Sequence, residues 1–156
     1  MILLYHGSNM IIDKIDLSKS RPYKDFGRAF YLSADKNQAE EMARFKVMIG
    51  GGIERVTFFE FDETEIKELK VKSFEGYTKE WAEFVYNNRD EKQDFHHDYD
   101  LVYGPIANDT VGVQIRDLRE RKISLDTFLK NLEYHKGITF QYAFCTSFAI
   151  SKLKRL

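Results

Sequence analysis

Short apolar segments of two kinds alternate along this chain, and they do so without a repeat. Ile2 to Tyr5 is an apolar run suited to a buried strand, and Ala29 to Ser33 is a second. Asp35 then opens a helix with Ala39, Met42, Ala43 and the stem of Lys46 on one face. Ile53 to Asp62, Leu69 to Phe74, Tyr99 to Tyr103 and Thr139 to Phe144 read as further strands. Thr78 caps a helix carrying Trp81, Phe84 and Val85 at helical spacing. Asn108 or Asp109 caps the next, and Ser124 caps another whose Leu125, Phe128, Leu129 and Leu132 form one stripe. Ser147 to Leu153 is expected as a terminal helix, Ile11 to Asp25 as a loop with one helical turn, and Gly50 to Gly52 as a helix-to-strand turn.

These segments do not repeat as strand–helix–strand units, and no Gly-rich strand-to-helix turn is present, which argues against a doubly wound dinucleotide fold. An α+β fold of two small packed sheets with flanking helices fits better. The chain has 156 residues, enough for a single domain spanning 1–156. Apolar residues at 43% can bury a core without disulfide or metal staples.

Charge excludes a simple answer. Lys and Arg number 24 against 25 Asp and Glu, so bulk attraction to nucleic acid or anionic membrane is not expected. The lone cysteine, Cys145, has no internal disulfide partner. The N-terminal apolar run spans about four residues, short of a secretory core. No stretch approaches the ~20 apolar residues of a membrane helix. A soluble cytoplasmic protein is expected.

Two motifs carry chemistry. In Tyr5-His6-Gly7-Ser8-Asn9 a histidine ends a buried strand and is followed by glycine and small polar residues. Glycine lets a ligand approach the backbone, one imidazole nitrogen can bond a sugar hydroxyl, and Ser8 can satisfy a second polar group. In Lys24-Asp25-Phe26-Gly27-Arg28-Ala29-Phe30-Tyr31-Leu32-Ser33 a charged loop leads through glycine into an aromatic strand. Tyr31 offers a flat surface for a planar ring. Lys24 and Arg28 are cations that can meet a pyrophosphate.

In this order the two motifs resemble the poly(ADP-ribose) polymerase branch of the ADP-ribosyltransferases. That pattern reads His-Gly-Ser or His-Gly-Thr, then Phe-Gly-Lys-Gly-Ile-Tyr-Phe-Ala-Asp. The match covers residues 4–43 and a short C-terminal piece. A match over nearly the whole chain is to a small bacterial family of the same superfamily, often encoded in toxin–antitoxin-like pairs.

The resemblance implies an ADP-ribosyltransferase-like fold, a split pair of small antiparallel sheets with flanking helices. It implies NAD as substrate, no metal, and a catalytic set of His6, Tyr31 and Gln141. His6 would bind the adenosine-side ribose, Gly7 would pair its backbone with the nicotinamide carboxamide, and Tyr31 would stack on the nicotinamide. Ser8, Lys24 and Arg28 would complete the NAD site. Ala39 falls where the polymerases have a carboxamide-binding Ser, and Met42 where they have a second stacking Tyr. Met42 offers a softer contact. Gln141 stands where the superfamily usually has Glu, and an amide accepts a hydrogen bond without supplying charge.

Polymer synthesis is therefore not expected. A mono-ADP-ribosyltransferase acting on an unknown protein or nucleic-acid acceptor is, as a toxin held by an antitoxin-like partner. The alternatives are a weak or inactive module binding NAD or ADP-ribose, and an RNA-modifying enzyme on the same fold.

Other constellations have plainer readings. Asp94 to Asp100 has metal-ligand residue types, but neighbours on a strand point oppositely and a solvated loop is expected. Trp81 is expected in the core and Arg89 in an acid pair. The Asn108 and Asp109 region would lie at the cleft rim, and Cys145 would be a buried thiol without an activating partner.

Overall fold

A computed structural model describes residues 1–107, 109–132 and 138–156. Along the chain run β1 (Ile2–Ser8), β2 (Phe30–Leu32), α1 (Lys36–Gly50), β3 (Arg55–Phe61), β4 (Val71–Ser73) and α2 (Lys79–Arg89). There follow β5 (Leu101–Pro105), α3 (Asp109–Arg119), α4 (Leu125–Leu132), β6 (Phe140–Phe144), α5 (Ser147–Ile150) and β7 (Leu153–Arg155). The fold is α+β. One sheet has strand order β1-β3-β7 and the other β2-β6-β5-β4.

Apolar residues on both faces of the second sheet explain its unbroken runs. Leu101 and Phe144 face the first sheet, in a core with Leu4, Phe30, Leu32, Phe59 and Phe61. Their neighbours Val102 and Ala143 face the opposite way, into a second core with Phe26, Trp81, Val85, Ile115 and Phe128. A strand buried on both sides has no polar face and so loses its alternation.

Three expectations need correction. The second sheet is not wholly antiparallel, because β4 runs parallel to β5. Helix α2 is the crossover between them, and such a connection returns the chain in the same direction. The expected helix from Ser147 to Leu153 ends at Ile150, and Leu153–Arg155 instead joins the free edge of β3. Edge peptide groups reward pairing that local periodicity does not record. A 3-10 segment over Glu63–Glu68, capped by Asp62, follows β3 without having been expected.

The expected caps at Asp35 and Thr78 are present, accepting from Asn37 N and Trp81 N. Ser124 Oγ likewise accepts from Thr127 N. Of the two caps expected for α3, Asn108 lies outside the described residues, and α3 begins at Asp109. Gly51 and Gly52 end α1 with φ of 73° and 89°. Among the described residues no helix is long and apolar enough to cross a membrane.

Candidate active site

β1 reaches the site through the alternation of an antiparallel ladder. Tyr5 exchanges both backbone bonds with Ser33, at 2.8 and 2.9 Å, on the side away from β3. Peptide groups alternate along a strand, so Gly7 also turns its N–H and C=O away from β3. Side chains alternate too, and His6 lies with Leu4 toward the second sheet. Its ring stacks on Phe30 with centroids 4.2 Å apart.

His6 Nδ1 lies 2.7 Å from the Tyr31 carbonyl. A carbonyl only accepts, so Nδ1 carries the proton. Burial, then the charge of Lys46, lower the His6 pKa to about 3 against the opposing pull of that carbonyl. The neutral ring therefore keeps a lone pair on Nε2, which has no partner among the described residues. Such a nitrogen is an acceptor for a hydroxyl.

Tyr31 is fixed from its other end. Its phenol donates to Gly27 O at 2.7 Å and accepts from Phe26 N at 3.1 Å. Gly27 has φ of 82°, a conformation that costs glycine little. Burial, ahead of the charge of Asp25, raises the Tyr31 pKa well above 10, so it remains a phenol. The ammonium of Lys24 lies over the Tyr31 ring, 4.8 Å from its centroid. Lys24 is an exposed residue, and desolvation lowers its pKa.

Gly7 is glycine for a packing reason. A Cβ there would sit 1.9 Å from the backbone oxygen of Ala39. Ala39 and Ala43 are the buried residues of α1, and their small size lets the helix close on β1. On the same helical face Lys46 donates to Gly7 O at 2.8 Å. Burial, then the charges of Lys24 and Arg21, lower its pKa to about 8. Met42 is half-buried on the adjoining row.

The remaining expected residues divide. Gln141 is buried on β6 opposite Gly104. It shares a face with Ala143, which pairs with Tyr31, so Gln141 and Tyr31 are diagonal neighbours on one surface. Its amide makes no hydrogen bond among the described residues. The Arg28 guanidinium donates to the carbonyls of Leu17, Ser18 and Ser20. Ser8 is buried, and its Oγ accepts from Met10 N at 3.4 Å. It shapes a turn. Sequence reasoning missed Lys46 as a site cation. The signal for Lys46 was its place on the face of Ala39 and Ala43.

The other constellations are structural. His97 Nε2 donates to Phe26 O at 2.7 Å and its Nδ1 accepts from Tyr99 N at 3.1 Å. Among the described residues no three His, Cys, Asp or Glu side chains converge as a metal site. Trp81 is wholly buried and donates to Pro105 O at 2.8 Å. Buried Asp25 receives Arg89 Nε at 2.7 Å and Ala107 N at 2.8 Å. Cys145 donates to Ala143 O at 3.3 Å, and burial pushes its thiol up to about 12. An open groove of about 680 Å³ lies elsewhere, between α2 and the α3–α4 turn. It holds none of the candidate residues.

A family model described as a protein of unknown function, DUF3990, matches residues 2–155. No curated protein and no solved structure matches the chain.

Proposed function

We propose that this chain, which belongs to the DUF3990 family over residues 2–155, has an ADP-ribosyltransferase-like fold. In this reading it cleaves NAD between nicotinamide and ribose and transfers ADP-ribose to a protein or nucleic-acid acceptor. The observation that carries the reading is the 2.7 Å bond from His6 Nδ1 to Tyr31 O. It joins the two motifs of the resemblance and leaves Nε2 free to accept from the adenosine ribose. Tyr31 supplies the ring for stacking, and Gln141 lies on its surface to accept from the nicotinamide ribose.

The acceptor's nucleophilic atom bonds to C1″ as the glycosidic bond breaks. The bonding electrons pass to the pyridinium ring, which leaves as neutral nicotinamide, and the acceptor's proton goes to solvent. Gln141 supplies no charge, so rate enhancement rests on positioning. A cytoplasmic toxin restrained by an antitoxin-like partner belongs to the same reading.

A second reading, an ADP-ribose-binding module without turnover, is favoured by one observation: the Gly7 carbonyl is already bonded to Lys46. Mass spectrometry of the protein incubated with NAD and a cell lysate separates the two. Nicotinamide release with an ADP-ribose adduct, lost on Tyr31→Ala, is expected. Tight NAD binding with no nicotinamide after days sinks the transferase.

A further inference from the structure

Several cations of this protein have a carboxylate partner. Lys72 pairs with Glu80, Lys152 with Glu65 and Glu68, and Arg89 with Asp25. Lys24 and Lys46 pair with none among the described residues. They are nonetheless gathered at one place. A chain of contacts runs from Lys46 to Gly7 O at 2.8 Å, along β1 to His6, from His6 to Tyr31 O at 2.7 Å, and from the Tyr31 ring to Lys24 at 4.8 Å. The nearest carboxylate in sequence, Asp25, is committed to Arg89 and to Ala107 N.

From this arrangement we infer that Lys24 and Lys46 form a binding site for a phosphate or pyrophosphate group, and that the two lysines cover the cleft until that anion draws them off. Each ammonium now makes a contact weaker than an ion pair, one with a ring face and one with a neutral carbonyl. Mutual repulsion adds to this, since Lys24 and Arg21 depress the basicity of Lys46. An anion replaces both contacts with charge-assisted bonds and removes the repulsion. The same movement bares the Tyr31 ring and the Gly7 carbonyl, the two features a flat carboxamide-bearing ring needs. The covering role rests on the nucleotide reading above; the anion site stands without it.

The consequence is a pair of effects with opposite sign. Removing the charge of Lys24 weakens anion binding and strengthens binding of an uncharged ring. Titration calorimetry of the full chain tests both, with inorganic pyrophosphate and with nicotinamide as separate probes. Lys24→Gln and Lys46→Gln keep side-chain length, and Lys152→Gln serves as a distant control. Wild type is expected to bind pyrophosphate, with affinity falling about ten-fold in either site variant and unchanged in the control. Lys24→Gln is expected to bind nicotinamide several-fold more tightly than wild type, and adenosine diphosphate to displace pyrophosphate. Thermal melts of each variant exclude unfolding as the cause.

No pyrophosphate binding by wild type, or equal loss in Lys152→Gln, overturns the anion site. Weaker nicotinamide binding to Lys24→Gln, or pyrophosphate that adenosine diphosphate does not displace, overturns the cover. NAD cleavage indifferent to both lysines defeats this inference alone. Pyrophosphate binding without NAD cleavage supports it while defeating the transferase.

Discussion

His6 donates its Nδ1–H to the carbonyl of Tyr31 across 2.7 Å, joining strands of different sheets that lie 25 positions apart in the chain. The bond fixes the tautomer and seats the imidazole on Phe30. Protonation of Nε2 would place a cation in a buried site already facing Lys46 and Lys24.

A dependence of stability on pH follows. The folded His6 pKa is about 3 against an ordinary 6.5, so between these values the unfolded chain binds a proton that the folded chain refuses. The His6 contribution is intact above pH 6.5 and is lost on acidification toward 3, by at most about 1.4 kcal/mol per pH unit. Urea denaturation between pH 7 and pH 4 should show a shallower slope for His6→Gln than for wild type.

Gly7→Ala should destabilise by about 3 kcal/mol or more, as severe overpacking does. The obstructing atom is the backbone oxygen of Ala39, so no side-chain change on α1 relieves it. Denaturant melts should therefore place Gly7→Ala with Ala39→Gly below Gly7→Ala, because the helix glycine rescues nothing and adds a loss of about 1 kcal/mol of its own.

Asp25→Asn should cost about 3 kcal/mol, the range for removing one member of a buried pair. It leaves Arg89 without its partner and weakens the acceptor for Ala107 N. A loss under about 0.5 kcal/mol in thermal or urea melts would mean the pair is solvated like a surface pair.

Cys145 should resist alkylation. The thiolate is the reactive form, and burial holds the thiol up to about 12. Iodoacetamide at pH 8 should label the unfolded chain quickly and the native chain hardly at all, read by intact mass.

Gln141→Glu tests the chemistry. A carboxylate on the surface shared with Tyr31 would supply the charge that the amide lacks. Nicotinamide release should rise by about 100- to 1,000-fold, the scale of one well-placed electrostatic group. An unchanged rate in a folded variant argues for binding without turnover.

Much of the fold was legible because its signals are local. Caps at Asp35 and Thr78, the helical stripe of α4 and the apolar runs of β1, β5 and β6 each depend on residues within a turn or two. The candidate site was partly legible for the same reason, since His6 and Tyr31 each sit in a strand, although β1 runs on past the expected end at His6 to Ser8. The partners of Arg28 and Ser8 were not legible, because charge and polarity do not say where a side chain finds them. Arg28 found three loop carbonyls and Ser8 a neighbouring N–H. Lys46 was hidden by appearing as one more stem on an amphipathic face.

The sequence by itself determined which segments become strands and helices, because periodicity, caps and glycines act over a few residues. That Gly7 must be glycine was decided by the tertiary structure, in which small Ala39 and Ala43 bring α1 close. Only the tertiary structure decided that β4 lies parallel to β5, that the last residues join β3, and that His6 meets Tyr31. It also decided that Lys24 meets a ring face and Lys46 a backbone carbonyl instead of an ion-pair partner. Pairings between distant segments depend on free edges, crossover direction and charge at close range, and none of these is encoded at neighbouring positions.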